Sequence, residues 1–63
     1  MQVLFRGPEA REWQRDLYGP LPQWLDLEGE TRYAMASYRL TYEEDAHGHP
    51  RPVYVYDHTQ QVP

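Results

Sequence analysis

Three histidines and ten carboxylates carry the metal-binding and acid–base capacity of this chain, and their spacing decides what either can do. His47-Gly48-His49 follows Asp45, and Asp57-His58 comes after one further strand-like run. Imidazole and carboxylate donors suit zinc or nickel, and a hairpin would bring residues 47 and 49 towards 57 and 58. A structural zinc site wants four ligands at tighter spacing, however, and two histidines flanking a glycine next to Pro50 also describe a solvent-exposed turn. The plain turn is the expectation, so no metal and no other cofactor is assigned.

Nucleophilic chemistry has less support. The chain has no cysteine, and Ser37 and Thr41 lack the glycine-rich context of a nucleophile elbow. No phosphate-binding loop or dinucleotide fingerprint occurs. Carboxylates do pair, as Asp26 with Glu28 and as Glu43-Glu44-Asp45, but acid–base work needs such groups in a cleft, which a chain this small rarely encloses. No catalytic residue is assigned, and a non-enzymatic role is expected.

The tyrosines are the stronger signal. Tyr33, Tyr38, Tyr42, Tyr54 and Tyr56 crowd the second half of the chain, more than one thin core can bury, and Arg32, Arg39 and Arg51 are interleaved with them. Tyr and Arg are enriched where proteins bind one another, so these eight are the candidate partner-binding residues. The same mixture can stack the bases of a single-stranded nucleic acid. That reading needs a positive field, whereas the net charge is −4 and residues 21–45 carry six acids against two arginines. A protein partner, with a basic surface favoured by charge, is therefore expected over nucleic acid. A homodimer through the sheet is the form expected when no other partner is present.

Those residues must be positioned by very little structure. A chain of 63 residues has room for a single core layer, and without cysteine no disulfide can staple it. There is no isoleucine, and Leu, Val and Phe make up about a sixth of the chain, a proportion associated with disorder. Two Trp and six Tyr offset that, each burying roughly 150–250 Å², so a folded domain with an aromatic core is expected. Lysine and asparagine are also missing. The joint absence of residues with AT-rich codons points to a high-GC genome, such as that of a bacterium or its phage. No apolar run approaches the roughly 20 residues of a membrane span, and Val3-Leu4-Phe5 is too short for a signal-peptide core, so the cytoplasm is the expected compartment.

Residues 2–6 alternate and suit a short strand that Gly7-Pro8 ends. Ala10, Trp13, Leu17 and Tyr18 recur at helical spacing between Pro8 and Gly19-Pro20, which predicts an amphipathic helix over 8–18 with Trp13 at the centre of its buried face. Trp24–Leu27 forms a further strand. The run 31–43 is read as another, in preference to a helix that residues 33–44 would also tolerate, with Arg32, Ala34, Ala36, Tyr38, Leu40 and Tyr42 on one face and Tyr33, Met35, Ser37, Arg39 and Thr41 on the other. A polar loop over 44–50 precedes a last strand around Val53–Tyr56. The expectation is one α+β domain over residues 1–58, ordered β-α-β-β-β with the helix packed on a small antiparallel sheet, and a frayed tail over 59–63. Its expected function is non-catalytic: a small bacterial or phage protein, of regulator or inhibitor type, that binds another protein through an aromatic and arginine-bearing sheet face or an edge strand. A small nucleic-acid-binding or histidine-loop metal-binding module is the alternative.

Overall fold

The computed structural model describes residues 1–7, 11–28 and 33–61. These residues form five strands and no helix: β1 (Gln2–Arg6), β2 (Glu12–Asp16), β3 (Trp24–Glu28), β4 (Ala34–Glu44) and β5 (Pro50–Gln61). The α+β expectation is therefore overturned, and the fold is all-β. The four strands read from the sequence are present as β1, β3, β4 and β5, while the segment read as a helix holds β2. Residues 8–10 at the start of that segment lie outside the described residues, as does Arg32. Trp13 and Leu17 are four residues apart, a spacing that a helix and a strand both place on one face. Pairing with β1 decides between them, since Gln2–Arg6 run antiparallel to Glu12–Asp16 with Phe5 opposite Trp13.

The sheet order is β2-β1-β5-β4-β3. Its hairpin pairs are antiparallel, but β1 and β5 run parallel, with Leu4 opposite Val53 and Phe5 opposite Tyr54. The sheet is therefore mixed, not the antiparallel one expected. β4 and β5 form the long central ladder, from Glu44 opposite Pro50 to Ala34 opposite Gln61. Thr59, Gln60 and Gln61, expected in a frayed tail, are the last rungs of that ladder.

The sheet curls into a half-barrel. In a flat sheet β2 and β4, three positions apart, would lie roughly 14 Å from each other. Instead Trp13 of β2 and Tyr38 of β4 meet edge to face with ring centroids 6.5 Å apart. The inner face gathers the core: Val3, Phe5, Tyr38 and Tyr54 are buried, with Trp13, Leu25, Leu27, Leu40 and Tyr56 packed around them. Phe5 stacks between Trp13 at 4.3 Å and Tyr54 at 5.1 Å. The β2–β3 connection supplies Leu17 and Leu21 to the same core, and the Tyr54 hydroxyl donates to the Pro22 carbonyl at 2.5 Å, holding that connection against the sheet. The register puts Ala34, Ala36, Tyr38, Leu40 and Tyr42 together on the inner face, the division of β4 expected from its alternation.

Between Ser37 and Tyr38 the β4–β5 register shifts by one residue, leaving Asp57 as the extra residue of a bulge. The shift turns His58 to the outer face, opposite Ser37, although simple alternation would have kept it beside Tyr54 and Tyr56. No helix among the described residues is long and apolar enough to cross a membrane.

Candidate functional site

The half-barrel stays open between its two edge strands, and the opening is a groove floored by aromatics. The floor is Trp13 and Tyr38, one wall is Arg15 of β2, and the other is the rim of β3 at Asp26, Leu27 and Glu28, around an open space of about 490 Å³. A second recess of about 390 Å³ continues from the same floor towards Gly7, Arg11 and Glu12. Trp13 is held by its stack on Phe5, and the Arg15 guanidinium lies 5.2 Å from its ring centroid, capping it from the β2 side. Tyr38 is fixed between Phe5 at 5.5 Å and Tyr56 at 5.9 Å, both edge to face. Burial, with a smaller contribution from Tyr56, pushes the Tyr38 phenol above its ordinary value, so it stays a neutral donor.

The hydrogen-bond phase of the ladders determines what the edges offer. Leu40 N–H donates to the Gln23 carbonyl at 2.8 Å, in register with Leu25–Tyr38 and Leu27–Ala36. Bonded pairs alternate in an antiparallel ladder, so the N–H and C=O groups of Trp24, Asp26 and Glu28 point away from β4. On the other edge Leu17 donates to Met1 at 2.9 Å and Gly7 to Arg11 at 2.7 Å, which turns the backbone of Glu12, Gln14 and Asp16 outward. No strand among the described residues answers either row.

A cleft of about 280 Å³, lined by Trp24, Asp26, Ser37, His58 and Gln60, lies on the outer face beside β3. The buried Ser37 hydroxyl donates to Asp26 at 2.7 Å and accepts from Gln60 at 3.1 Å. Gln60 reaches His58 at 3.2 Å, and His58 Nδ1 lies 2.5 Å from the Asp57 carboxylate. The Trp24 ring meets His58 edge to face at 6.4 Å and is itself half exposed. Serine, histidine and carboxylates are thus neighbours, but the serine is held by a carboxylate and an amide instead of an imidazole. That arrangement locks the hydroxyl in place without activating it as a nucleophile.

At the far end of the β4–β5 ladder, Asp45–His49 form the hairpin loop. Gly48 N–H donates to the Asp45 carbonyl, with Gly48 at φ 77°, and Asp45 N–H donates to the His49 carbonyl. The Asp45 carboxylate accepts from the backbone of His47 at 2.8 Å and His49 at 3.0 Å. Those two amides, His49 the larger, hold the carboxyl below its ordinary value, and Arg51 adds to the effect. The imidazoles of His47 and His49 lie 6.4 Å apart. His58 sits eight strand positions beyond Pro50, on the order of 25 Å along β5, so the hairpin does not bring the three histidines together. No cluster of three or more metal-binding side chains occurs among the described residues.

The eight candidate partner-binding residues are scattered. Tyr38 and Tyr54 are core, Tyr56 is half-buried on the inner face, and Tyr33 and Tyr42 are exposed. Arg39 and Arg51 are exposed, and their register places both on the outer face, away from the tyrosine rings of β4 and β5. Arg32 lies outside the described residues. Of the residues that line the groove, Tyr38 was among the eight, whereas Trp13, Arg15, Leu27 and Glu28 were not. The alternation Leu25-Asp26-Leu27-Glu28 was visible in the sequence, but that it belongs to an edge strand depends on the strand order. Comparison of the chain with protein-family models, curated proteins and solved structures finds no match.

Proposed function

We propose that this protein is a non-catalytic binding module that accepts an extended segment of another protein along the open side of its half-barrel. The carrying observation is the pair of unanswered backbone edges flanking a groove floored by Trp13 and Tyr38. An extended chain adding to a sheet edge gains main-chain hydrogen bonds for affinity, while alternate side chains fill pockets for specificity. The groove offers such pockets, and its aromatic floor is preformed, so little ordering is required on binding. The thinness of the molecule fits this reading. Its radius of gyration is 12.5 Å, against about 11 Å for a compact domain of this length, as a single curled layer would give.

Selection of short peptides from a random library, followed by amide-resolved NMR of the whole chain, tests the proposal. Selected peptides are expected to shift the amides of Trp24–Glu28 or Glu12–Asp16, and Trp13→Ala is expected to weaken them. A library that yields no binder, or binders whose shifts fall only in the outer cleft around Ser37 and His58, would rule it out. The acidic charge and the carboxylates on both edges weigh against the nucleic-acid alternative.

A further inference from the structure

We infer that β3 is the receiving edge and that the segment it takes alternates basic and apolar residues. This inference rests on the strand-accepting role proposed above and adds which edge is used and what chemistry fills it. The residues with outward-pointing backbone are also those with outer-face side chains: Glu12, Gln14 and Asp16 on β2, and Trp24, Asp26 and Glu28 on β3. Four of these six are carboxylates and none is a cation. An added strand places its own outer-face residues directly opposite them, at the distance where opposite charges attract and like charges repel.

The two edges differ in what they still have to offer. On β2, Glu12 is already engaged by the Arg6 guanidinium at 2.9 Å, and the inner side is closed by Arg15 over Trp13. On β3, no described cation pairs with Asp26 or Glu28, and the Ser37 hydroxyl at Asp26 is neutral, leaving that charge without a counter-charge among the described residues. Trp24 is half exposed beside them, a surface on which a guanidinium or ammonium can stack. On the inner side, Leu25 and Leu27 lead into the groove over Tyr38, where apolar side chains of the added strand would sit. A second copy of this chain is a poor occupant. Two β3 strands paired about a two-fold axis at Leu27 would set Asp26 against Glu28, and an axis at Asp26 would set that carboxylate against its own copy.

The test titrates the full chain, followed by amide NMR, with a short synthetic peptide alternating arginine and valine. A counterpart carrying glutamate in place of each arginine is titrated in parallel. The basic peptide is expected to shift Trp24–Glu28 and to bind roughly tenfold more tightly than the acidic one, an advantage that two favourable cross-strand pairs supply. The double variant Asp26→Asn, Glu28→Gln should erase most of that ratio. N-methylation of the peptide amides facing β3 should abolish binding, whereas methylation of the alternate amides should not, and this control leaves the protein unaltered. Equal affinity for the two peptides, or shifts confined to Glu12–Asp16, would overturn the inference while leaving strand acceptance standing. If neither peptide shifts any edge amide, both readings fall. Concentration-dependent shifts of Trp24–Glu28 without peptide would assign the edge to a second copy and overturn the inference.

Discussion

Trp13 shows how a single residue can keep its role when its surroundings are misjudged. It was expected at the centre of a helix face and instead lies on a strand, yet it still covers Phe5 and Tyr38. Trp13→Ala is expected to cost about 3 kcal/mol, the low end for an aromatic truncation because the ring is only partly buried, as chemical denaturation would measure. For a domain this small that loss is a large part of the total. Tyr54 is different, because its ring fills the core while its hydroxyl holds the Pro22 carbonyl. Tyr54→Phe keeps the packing and leaves that acceptor to find another donor, an expected loss of about 1 kcal/mol. The phenols also set an alkaline limit. Burial raises both Tyr38 and Tyr54, with Tyr56 and Tyr42 as the respective secondary causes. The unfolded chain releases these protons near pH ~10, while the fold retains them. Their contribution is therefore whole below that pH and is lost as pH climbs through it towards the folded values. Tyr38→Phe should flatten the alkaline limb of a stability–pH curve, and an unchanged limb would show that burial of this phenol is not what the titration senses. Crowding of aromatics can be read from a sequence, but that Tyr38 and Tyr54 share one interior cannot.

Among the elements, the β4–β5 hairpin was the most legible and β2 the least. Alternation of Ala34, Ala36, Tyr38, Leu40 and Tyr42 favoured a strand at β4 and divided its two faces, although Ala34, Met35, Ala36, Arg39, Leu40, Glu43 and Glu44 are also tolerable in a helix. The bulge at Asp57 left no such trace, and it is what turns His58 outward into the cleft with Ser37. The hairpin loop gives two expectations. Gly48 adopts a positive φ with open space around a would-be Cβ, so Gly48→Ala should destabilise by about 1 kcal/mol through backbone strain alone, again by denaturation. Asp45 is held below its ordinary value by the His49 and His47 amides. Its contribution is present above the ordinary carboxylate value and is lost as pH falls through the folded one, so Asp45→Asn should flatten the acid limb. Across the outer face, Arg6 forks onto Glu43 of β4, spanning β5, while its Nε takes Glu12 of β2. Glu43 and then Glu12 raise the guanidinium still further above its already high value. Double-mutant cycles should show stronger coupling of Arg6 to Glu43 than to Glu12, both shrinking in molar salt. Equal coupling would mean that the fork contributes no more than a single contact.

For the molecule as a whole, length indicated a single thin layer, while strand order, and with it the open side, could not be read from local patterns. Parallel pairing of β1 with β5 joins residues some fifty positions apart, and no turn signal announces it. Carboxylates along both edges should keep the chain from pairing with itself at neutral pH. Replacing Glu12, Asp16, Asp26 and Glu28 by their neutral amides should let edges meet. Sedimentation of that variant is expected to show monomer giving way to larger species, and dimer already in the unaltered chain at neutral pH would mean that the edges are not where copies are kept apart. The same β1–β5 pairing governs when this fold can exist at all. The aromatic stack needs Phe5 from near the start and Tyr54 from near the end, so during synthesis the β1–β2 hairpin has no partner until residues 53–55 have left the ribosome. Closing so long a loop comes before most of the stabilising contacts are made, which places refolding in the slow, millisecond-to-second range of proteins dominated by non-local pairing. Joining the two ends of this sequence through a flexible linker and opening the chain in the β2–β3 connection would make every pair of neighbouring strands consecutive and should speed refolding, while leaving the sheet order unchanged.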